Sequence, residues 1–250
     1  MNIDMNRFIS ILQFLTRIPI KRDVPMEEAF HKGIIYFPVV GGIIGALLMV
    51  AYRGASLYLA HSLSALLTVG FFVFLTGGLH LDGLGDTFDG LYSNRNKETI
   101  LEIMKDSRLG TNGVLAMVFI LLLKLYGIQG LGEHQIYWGI ILMPVMGRQA
   151  IVYGCYRTIY GRSQGLGHLF IGKVSKKELL ISSLLTFILA AMHLPSLIFA
   201  LLLPIGSQLY KGHVMKKIDG MTGDTLGSLC ELTEGCYLLF ILLITGAGLF

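Results

Sequence analysis

Residues 77–113 read GGLHLDGLGDTFDGLYSNRNKETILEIMKDSRLGTNG, lie between two apolar runs and hold six of the sixteen acidic residues of the chain. Three of these acids, Asp82, Asp86 and Asp89, follow one another at intervals of four and three residues. On a helix, Asp86 would lie about 40° and Asp89 about 20° from Asp82 around the axis. The spacing therefore predicts a helix that carries three carboxylates on one narrow face.

Carboxylates on one face repel one another, so either their pKa values rise or a cation lies between them. Mg²⁺ prefers hard oxygen ligands and commonly bridges carboxylates and substrate phosphates. The face therefore indicates a Mg²⁺ site for phosphate chemistry, and the alternative is a solvated acidic loop that caps two membrane helices. Gly83, Gly85 and Gly90 are interleaved with the acids, and we expect them to leave room for a bulky ligand.

The chain as a whole has the composition of a membrane protein. It has 250 residues, of which 54% are hydrophobic and 14% are charged, whereas a soluble domain carries about 25% charged residues. Several apolar runs approach the ~20 residues needed to cross a bilayer. We predict seven spans, at residues 34–52, 62–79, 114–131, 136–156, 178–192, 195–210 and 236–250.

The first apolar run of the chain, residues 5–20, is shorter and is interrupted by Arg7, Arg17 and Pro19. It predicts an interfacial or re-entrant helix rather than a span. The expected fold is therefore all-α: one integral membrane domain, residues 1–250, built as a helix bundle of about seven spans with this helix at its N-terminus.

Lys and Arg are distributed unevenly between the connections. Seventeen lie before the first span or in alternate connections after it, whereas the opposite connections hold one, Arg53. Because basic connections stay in the cytoplasm, we predict a multi-pass protein of the cytoplasmic (inner) membrane with its N-terminus inside. Residues 80–113 are then a cytoplasmic acidic catalytic segment, and residues 211–235 are a second cytoplasmic polar segment. The sequence has no basic patch with interleaved aromatic residues, so nucleic acid is not an expected partner. The expected partner is the lipid bilayer, and a homo-oligomer remains an alternative to a monomer.

The second polar segment includes residues 219–234, DGMTGDTLGSLCELTE. On a helix, Asp224 and Glu231 would lie within about 20° of each other. Thr222 and Gly223 are suited to open that helix and to direct backbone N–H groups at an anion. The alternative is an ordinary capped helix start.

Two charged residues fall inside predicted spans, where a charge is costly and usually functional or paired. Arg148 is the better candidate for a substrate phosphate, because a guanidinium binds phosphate bidentately. Lys124 is expected to snorkel or to pair with an acid. In the glycine-rich loop GRSQGLGH, residues 161–168, Arg162 and His168 either contact a substrate or belong to a solvated loop.

Several stretches together resemble the cobalamin synthase family, the adenosylcobinamide-GDP ribazoletransferases. They are LTGGLHLDGLGDTFDGL (75–91), ILEIMKDSRLGTNGVLA (100–116) and GMTGDTLGSLCEL (220–232), with YFPVVGGIIGALL (36–48) and GRSQGLGHLF (161–170) beside them. These stretches cover nearly the whole chain and follow one another in the order found in the family. Their combination is a specific signal, although each stretch alone is a weak one.

The resemblance implies a Mg²⁺-dependent membrane enzyme of late cobalamin biosynthesis. Its reaction joins adenosylcobinamide-GDP to α-ribazole or its 5′-phosphate, giving adenosylcobalamin or its 5′-phosphate and releasing GMP. The motif of the family is matched by Asp82, Asp86, Asp89 and Asp106, and the resemblance implies that these are the catalytic residues and Mg²⁺ ligands. Asp89 or Asp106 is alternatively a base. The implied phosphate partners are Lys105, Arg108 and Arg148, and the implied ligands of a second metal or of substrate hydroxyls are Asp224 and Glu231.

Two other classes of protein place acids on membrane helices. A CDP-alcohol phosphotransferase needs an Asp-Gly followed by Ala-Arg and a distal GxxxDxxxD, but here Asp82-Gly83 is followed by Leu84-Gly85-Asp86 and the distal motif is absent from the sequence. A cation-coupled transporter usually places its acids at mid-membrane on broken helices, often in paired repeats. Both remain alternatives to the transferase.

Overall fold

The architecture is a helix bundle. The computed structural model describes residues 3–21 and 30–246, where the only strand pairing is an isolated bridge between Tyr160 and Met221. The predicted all-α fold is confirmed. The described α-helices are α1 (Ile3–Leu15), α2 (Phe37–Ser56), α3 (His61–Thr76), α4 (Leu79–Leu91), α5 (Lys97–Ile103), α6 (Thr111–Gly130), α7 (Glu133–Cys155), α8 (Lys176–Ala190), α9 (Leu194–Ile218) and α10 (Gly223–Gly246), with 3₁₀ helices at Phe30–Tyr36 and Leu166–Leu169.

Each of the seven predicted spans coincides with a helix or part of one. Five are long and apolar enough to cross a bilayer: α6, α7, α9, α10, and α2 extended by its 3₁₀ helix to Phe30–Ser56. The pair α3 and α4 forms a sixth candidate with a bend, and α8, with 15 residues, is shorter than a typical span. The 13 residues of α1 are likewise too few to span, as predicted. Residues 247–250 of the last predicted span lie outside the described residues.

Small residues bring α2 and α7 into backbone contact at the centre of the bundle. A Cβ atom on Gly45 would lie 2.0 Å from the carbonyl oxygen of Ile141, and one on Gly41 would lie 2.7 Å from that of Pro144. The small residues of the GGIIG sequence at 41–45 thus allow the two helix backbones to approach closely. α7 is in turn packed against α10, so that most of α7 is buried.

Two consecutive glycines turn the chain between α3 and α4. Gly77 and Gly78 have φ angles of 66° and 70°, in the left-handed region that glycine enters without a steric penalty. The two helices consequently meet at 89°. The bend carries α4 beyond the end of α3, where it is packed against α10 and α6.

Residues 211–235, predicted as a polar segment between spans, are helical except at residues 219–222. α9 continues to Ile218, and α10 already begins at Gly223. Polar side chains are accommodated in these helices because they are paired; Lys217 Nζ, for example, donates to the carbonyl of Leu91 at 2.6 Å. Much of the predicted polar segment is thus part of the bundle.

Candidate active site

Two helices bring three carboxylates together in an acidic face, defined here as Asp82 and Asp86 of α4 and Asp224 of the first turn of α10. α4 is helical over the acids, as their spacing predicts. The helices touch backbone to backbone: a Cβ atom on Gly83 would lie 2.9 Å from the Cα atom of Asp224, and one on Gly227 would lie 3.0 Å from the carbonyl oxygen of His80. This contact places the first turn of α10 beside the acids of α4.

The glycines of α4 serve packing rather than ligand access. Gly83 is covered by α10, a Cβ on Gly85 would lie 3.0 Å from Leu109, and one on Gly90 would lie 2.4 Å from Met104. The prediction that these glycines leave room for a bulky ligand is therefore wrong. Their positions are filled by protein because α4 lies close to three other segments.

Burial, followed by repulsion between like charges, determines the electrostatics of the acidic face. Asp86 lies on α4, beyond the bend and outside the five long spans. Burial and the negative charges of Asp224 and Asp82 raise the pKa of Asp86 from 3.8 to about 7, and the positive charge of Arg162 opposes this rise. Like charges in a half-buried site favour a neutral carboxyl unless a cation joins them.

Arg162 supplies the nearest positive charge. Its Nη2 lies 2.7 Å from Oδ2 of Asp224 and donates to the carbonyl of Met104 at 3.1 Å. The loop between α7 and α8 is thereby joined both to the start of α10 and to the end of α5. The start of α10 is also capped as predicted, since the N–H of Thr225 donates to Oγ1 of Thr222 at 3.2 Å.

A cavity of about 190 Å³ opens beside the acidic face. Asp82, Asp224 and Arg162 contribute to its polar side, together with His80 and Tyr160. The remaining wall is apolar and aromatic and includes Phe14, Leu15, Phe37, Ile151, Phe170 and Leu226. Two carboxylates, a guanidinium and a hydrophobic wall are therefore available to one ligand.

Asp89 is bound to the start of α6. Its two carboxylate oxygens accept the backbone N–H groups of Gly110 and Gly113 at 2.7 and 2.8 Å. A Cβ atom on either glycine would lie 2.4 Å from an oxygen of Asp89, so the glycines are needed for this contact. Asp89 thus joins α4 to the N-terminus of α6, where a negative charge is favourable.

The other predicted acid, Asp106, lies on the connection between α5 and α6. Nε of Arg108 donates to Oδ1 and Oδ2 of Asp106 at 3.1 and 3.0 Å, and Nη2 donates to Oδ2 at 2.6 Å. This contact lowers the pKa of Asp106 to about 2. Lys105 and Arg108 are exposed. The structure therefore leaves Asp106, Lys105 and Arg108 on the surface, in a group separate from the acidic face.

Arg148 and Glu231 lie in the interior, in a buried ion cluster that also contains Lys124 and Glu234. Lys124 Nζ donates to Oε2 of Glu231 at 2.6 Å and to Glu234, which also accepts from Arg148. Lys124 is 2% exposed and Arg148 is 1% exposed. Two positive and two negative side chains thus neutralise one another between α6, α7 and α10, and the predicted pairing of Lys124 with an acid is confirmed.

His80 connects the buried ion cluster to the cavity. Its side chain lines the cavity, while Nδ1 lies 3.5 Å from Nη2 of Arg148. An imidazole nitrogen facing a guanidinium accepts rather than donates, so this contact favours neutral His80 with its proton on Nε2. The structure thus places Arg148 and Glu231 behind the wall of the cavity.

The acidic face fits a hydrated Mg²⁺ better than a closed metal cage. Within the described residues, no three His, Cys, Asp or Glu side chains converge closely enough to bind a metal ion by themselves. Mg²⁺, however, usually keeps several waters and uses one or two carboxylates with substrate phosphates. Three carboxylates beside one guanidinium leave two negative charges uncompensated, which matches a divalent cation. Asp82 and Asp86 are the residues placed to hold it, with Asp224 beside them.

Sequence reasoning missed several contributors to this region. The sequence leaves Arg162 either contacting a substrate or lying in a solvated loop, and its pairing with Asp224 joins positions far apart in the chain. His80 and Glu234 carry no local motif, although Glu234 follows Glu231 by three residues and so shares its helix face. A buried Lys124 in a span was the available signal for such an acid.

The fold and the site together define a multi-pass membrane protein with a carboxylate site suited to phosphate chemistry. A family model described as cobalamin-5-phosphate synthase matches residues 7–242. An adenosylcobinamide-GDP ribazoletransferase of Clostridioides difficile (strain 630) is 44% identical over 96% of this chain and 98% of its own. Proteins of the same name from Clostridium acetobutylicum and Thermoanaerobacter sp. (strain X514) are 41% and 38% identical, over 94% and 92% of this chain and 95% and 94% of theirs. No solved structure matches the chain.

The chain belongs to the cobalamin-5-phosphate synthase family. The resemblance carried by the motifs is confirmed over nearly the full length. The protein is therefore an enzyme of cobalamin biosynthesis.

Proposed function

We propose that this protein joins adenosylcobinamide-GDP to α-ribazole or its 5′-phosphate in a Mg²⁺-dependent reaction that releases GMP. The name of its relatives gives adenosylcobinamide-GDP and a ribazole. The observation that carries the proposal is the acidic face, where Asp82, Asp86 and Asp224 lie beside Arg162 at the edge of a cavity. Such a site is suited to neutralising phosphate charge and to orienting two substrates.

The proposed reaction is a displacement at phosphorus. A ribazole hydroxyl attacks the phosphorus bound to cobinamide, a new P–O bond forms, and the P–O bond to GMP breaks. Asp82 and Asp86 hold Mg²⁺, which when bound neutralises the phosphate oxygens. Asp224 accepts the proton of the attacking hydroxyl, and Arg162 stabilises negative charge on the phosphates.

The remaining predicted residues have less direct roles in this proposal. Asp89 positions α4 against α6, and the buried ion cluster with Arg148 and Glu231 supports the wall of the cavity. Lys105 and Arg108 stay predicted phosphate partners for the exposed part of the nucleotide. The excess of Lys and Arg in the connections of this side supports a cytoplasmic acidic face.

The proposal is tested with purified protein in lipid nanodiscs, adenosylcobinamide-GDP, α-ribazole 5′-phosphate and Mg²⁺. We expect GMP and the corrinoid product to form in equal amounts, because one displacement yields both. EDTA is expected to stop the reaction and an excess of Mg²⁺ to restore it.

Two results would contradict the proposal. Release of GMP without α-ribazole phosphate would indicate hydrolysis rather than transfer. A rate that is unchanged in EDTA would exclude Mg²⁺ from the reaction. Omission of protein and omission of each substrate are the controls.

A further inference from the structure

We propose that the cavity binds the aromatic base of α-ribazole, while the corrinoid nucleotide reaches Asp82 from a separate, adjoining groove at the bend between α3 and α4. This inference rests on the proposed function. It assigns the two substrates to two surfaces, and Asp82 is the carboxylate that both surfaces share.

Two concavities meet at Asp82. The first is the cavity between the start of α10, α4 and the loop at 161–170. The second is a groove, here called the corner groove, at the bend between α3 and α4. Its lining includes Gln13, Thr16, Arg17, Thr76, Gly77, Gly78, Leu81 and Met117, and it shares Phe14, Leu79 and Asp82 with the cavity.

The size of the cavity separates the two substrates. Its volume is about 190 Å³, and an apolar cavity of about 150 Å³ is large enough for benzene. The space is therefore on the scale of a small aromatic group. A corrin macrocycle with its side chains is several times larger and is excluded.

The apolar wall of the cavity is built for a planar ring. Phe170 lies with ring centroids 5.7 Å from Phe14 and 5.2 Å from Phe37, and Ile151 and Leu226 complete the wall. Tilted and edge-on aromatic contacts of this kind are favourable and selective for ring geometry. A dimethylbenzimidazole base would add a further ring to this cluster.

The polar side of the cavity then receives the sugar of the same molecule. Asp224 and Arg162 form an ion pair there, and Asp82 lies at the junction with the corner groove. A base held by the apolar wall directs its ribose towards these residues, where the attacking hydroxyl is needed. The two substrates therefore meet at Asp82 and Asp224.

The corner groove has the properties needed for the larger substrate. It is the more open of the two, with a volume of about 570 Å³. Arg17 is exposed in it and is packed over the glycine bend, so that a Cβ atom on Gly77 would lie 2.1 Å from its Nε. A guanidinium at this position suits the diphosphate of adenosylcobinamide-GDP.

The inference is tested by measuring KM separately for each substrate. Phe170→Ala is expected to raise the KM for α-ribazole by at least about tenfold, since buried aromatic area is lost, and to leave the KM for adenosylcobinamide-GDP within about twofold. Arg17→Gln is expected to give the opposite pattern. A Phe170→Ala variant that raises only the KM for the corrinoid substrate would overturn the assignment.

A second measurement keeps the test independent of whether Phe170→Ala folds. In the wild-type protein, replacing the dimethylbenzimidazole base by benzimidazole is expected to weaken α-ribazole binding about tenfold, because two buried methyl groups are lost. Calorimetric binding of each riboside in EDTA reports this without catalysis. Equal affinity for both would overturn the inference, whereas absence of any transfer by wild type would instead contradict the proposed function.

Discussion

Replacing Asp86 with Asn is expected to lower the rate of transfer by a factor on the order of 10²–10³, the loss typical of removing one group that stabilises transition-state charge. Asp86 is half-buried beside Asp82 and Asp224, and an amide cannot replace a charged oxygen ligand. The rate is measured as GMP released per mole of protein at saturating substrates. Glu102→Gln is the matched control, since it removes an exposed carboxylate from the same segment, and we expect it to retain activity.

The same variant is expected to be no less stable than wild type. The pKa of Asp86 is raised in the folded protein, from 3.8 to about 7, so the folded state binds the proton more tightly than the unfolded state. The contribution of this group to stability is therefore lost as pH rises between about 4 and 7. Asn has no such loss, so in EDTA, where no divalent cation stabilises the charged carboxylate, the melting temperature of Asp86→Asn relative to wild type should increase from pH 5 to pH 8.

These two measurements distinguish a catalytic role from a structural one. Loss of activity together with a lowered melting temperature at pH 8 would indicate that Asp86 supports the fold. Retention of activity would remove Asp86 from the acidic site altogether.

Breaking the buried ion cluster is expected to have the largest effect on stability. Lys124→Met leaves Glu231 and Glu234 with only Arg148, and Glu231→Gln leaves an excess of positive charge. Removing one partner of a buried ion pair costs about 3–5 kcal/mol. We therefore expect each single variant to lose about this much free energy of unfolding, measured by denaturation in detergent micelles.

The double variant Lys124→Met/Glu231→Gln is expected to be closer to wild type than either single variant. It removes one positive and one negative charge and keeps the pair of Arg148 and Glu234, so no side chain is left with an uncompensated charge. Glu133→Gln, an exposed Glu at the start of α7, is the matched control. Additive losses in the double variant would contradict this account. A Glu231→Gln variant of normal stability but with a raised KM would restore its predicted role in substrate binding.

The sequence predicts those features that depend on local periodicity. The spacing of Asp82, Asp86 and Asp89 predicts a helix, and the apolar runs predict the helices of the bundle. The ends of these helices are less predictable: α10 begins thirteen residues before the predicted start at 236, because the acids in its first half are paired with basic residues elsewhere in the fold.

Contacts between distant positions are not encoded in local patterns. Glu234 pairs with Arg148 over 86 positions and Glu231 with Lys124 over 107. Similarly, the three acids of α4 share one predicted helix face, yet Asp89 binds backbone N–H groups of α6, Asp82 lines the cavity, and Asp86 lies near Asp82 and Asp224. Only the packing of α4 against α6 and α10 separates these roles.

The most direct test of the acidic face is the binding of Mn²⁺ as a paramagnetic replacement for Mg²⁺. Electron paramagnetic resonance measures free Mn²⁺ in the presence of protein, with and without adenosylcobinamide-GDP. We expect wild type and Glu102→Gln to bind Mn²⁺ equally, and the double variant Asp82→Asn/Asp86→Asn to bind it on the order of 10–100 times more weakly. Unchanged Mn²⁺ binding by the double variant, with loss of binding in Asp106→Asn instead, would place the metal at the surface pair of Asp106 and Arg108 and contradict the site described here.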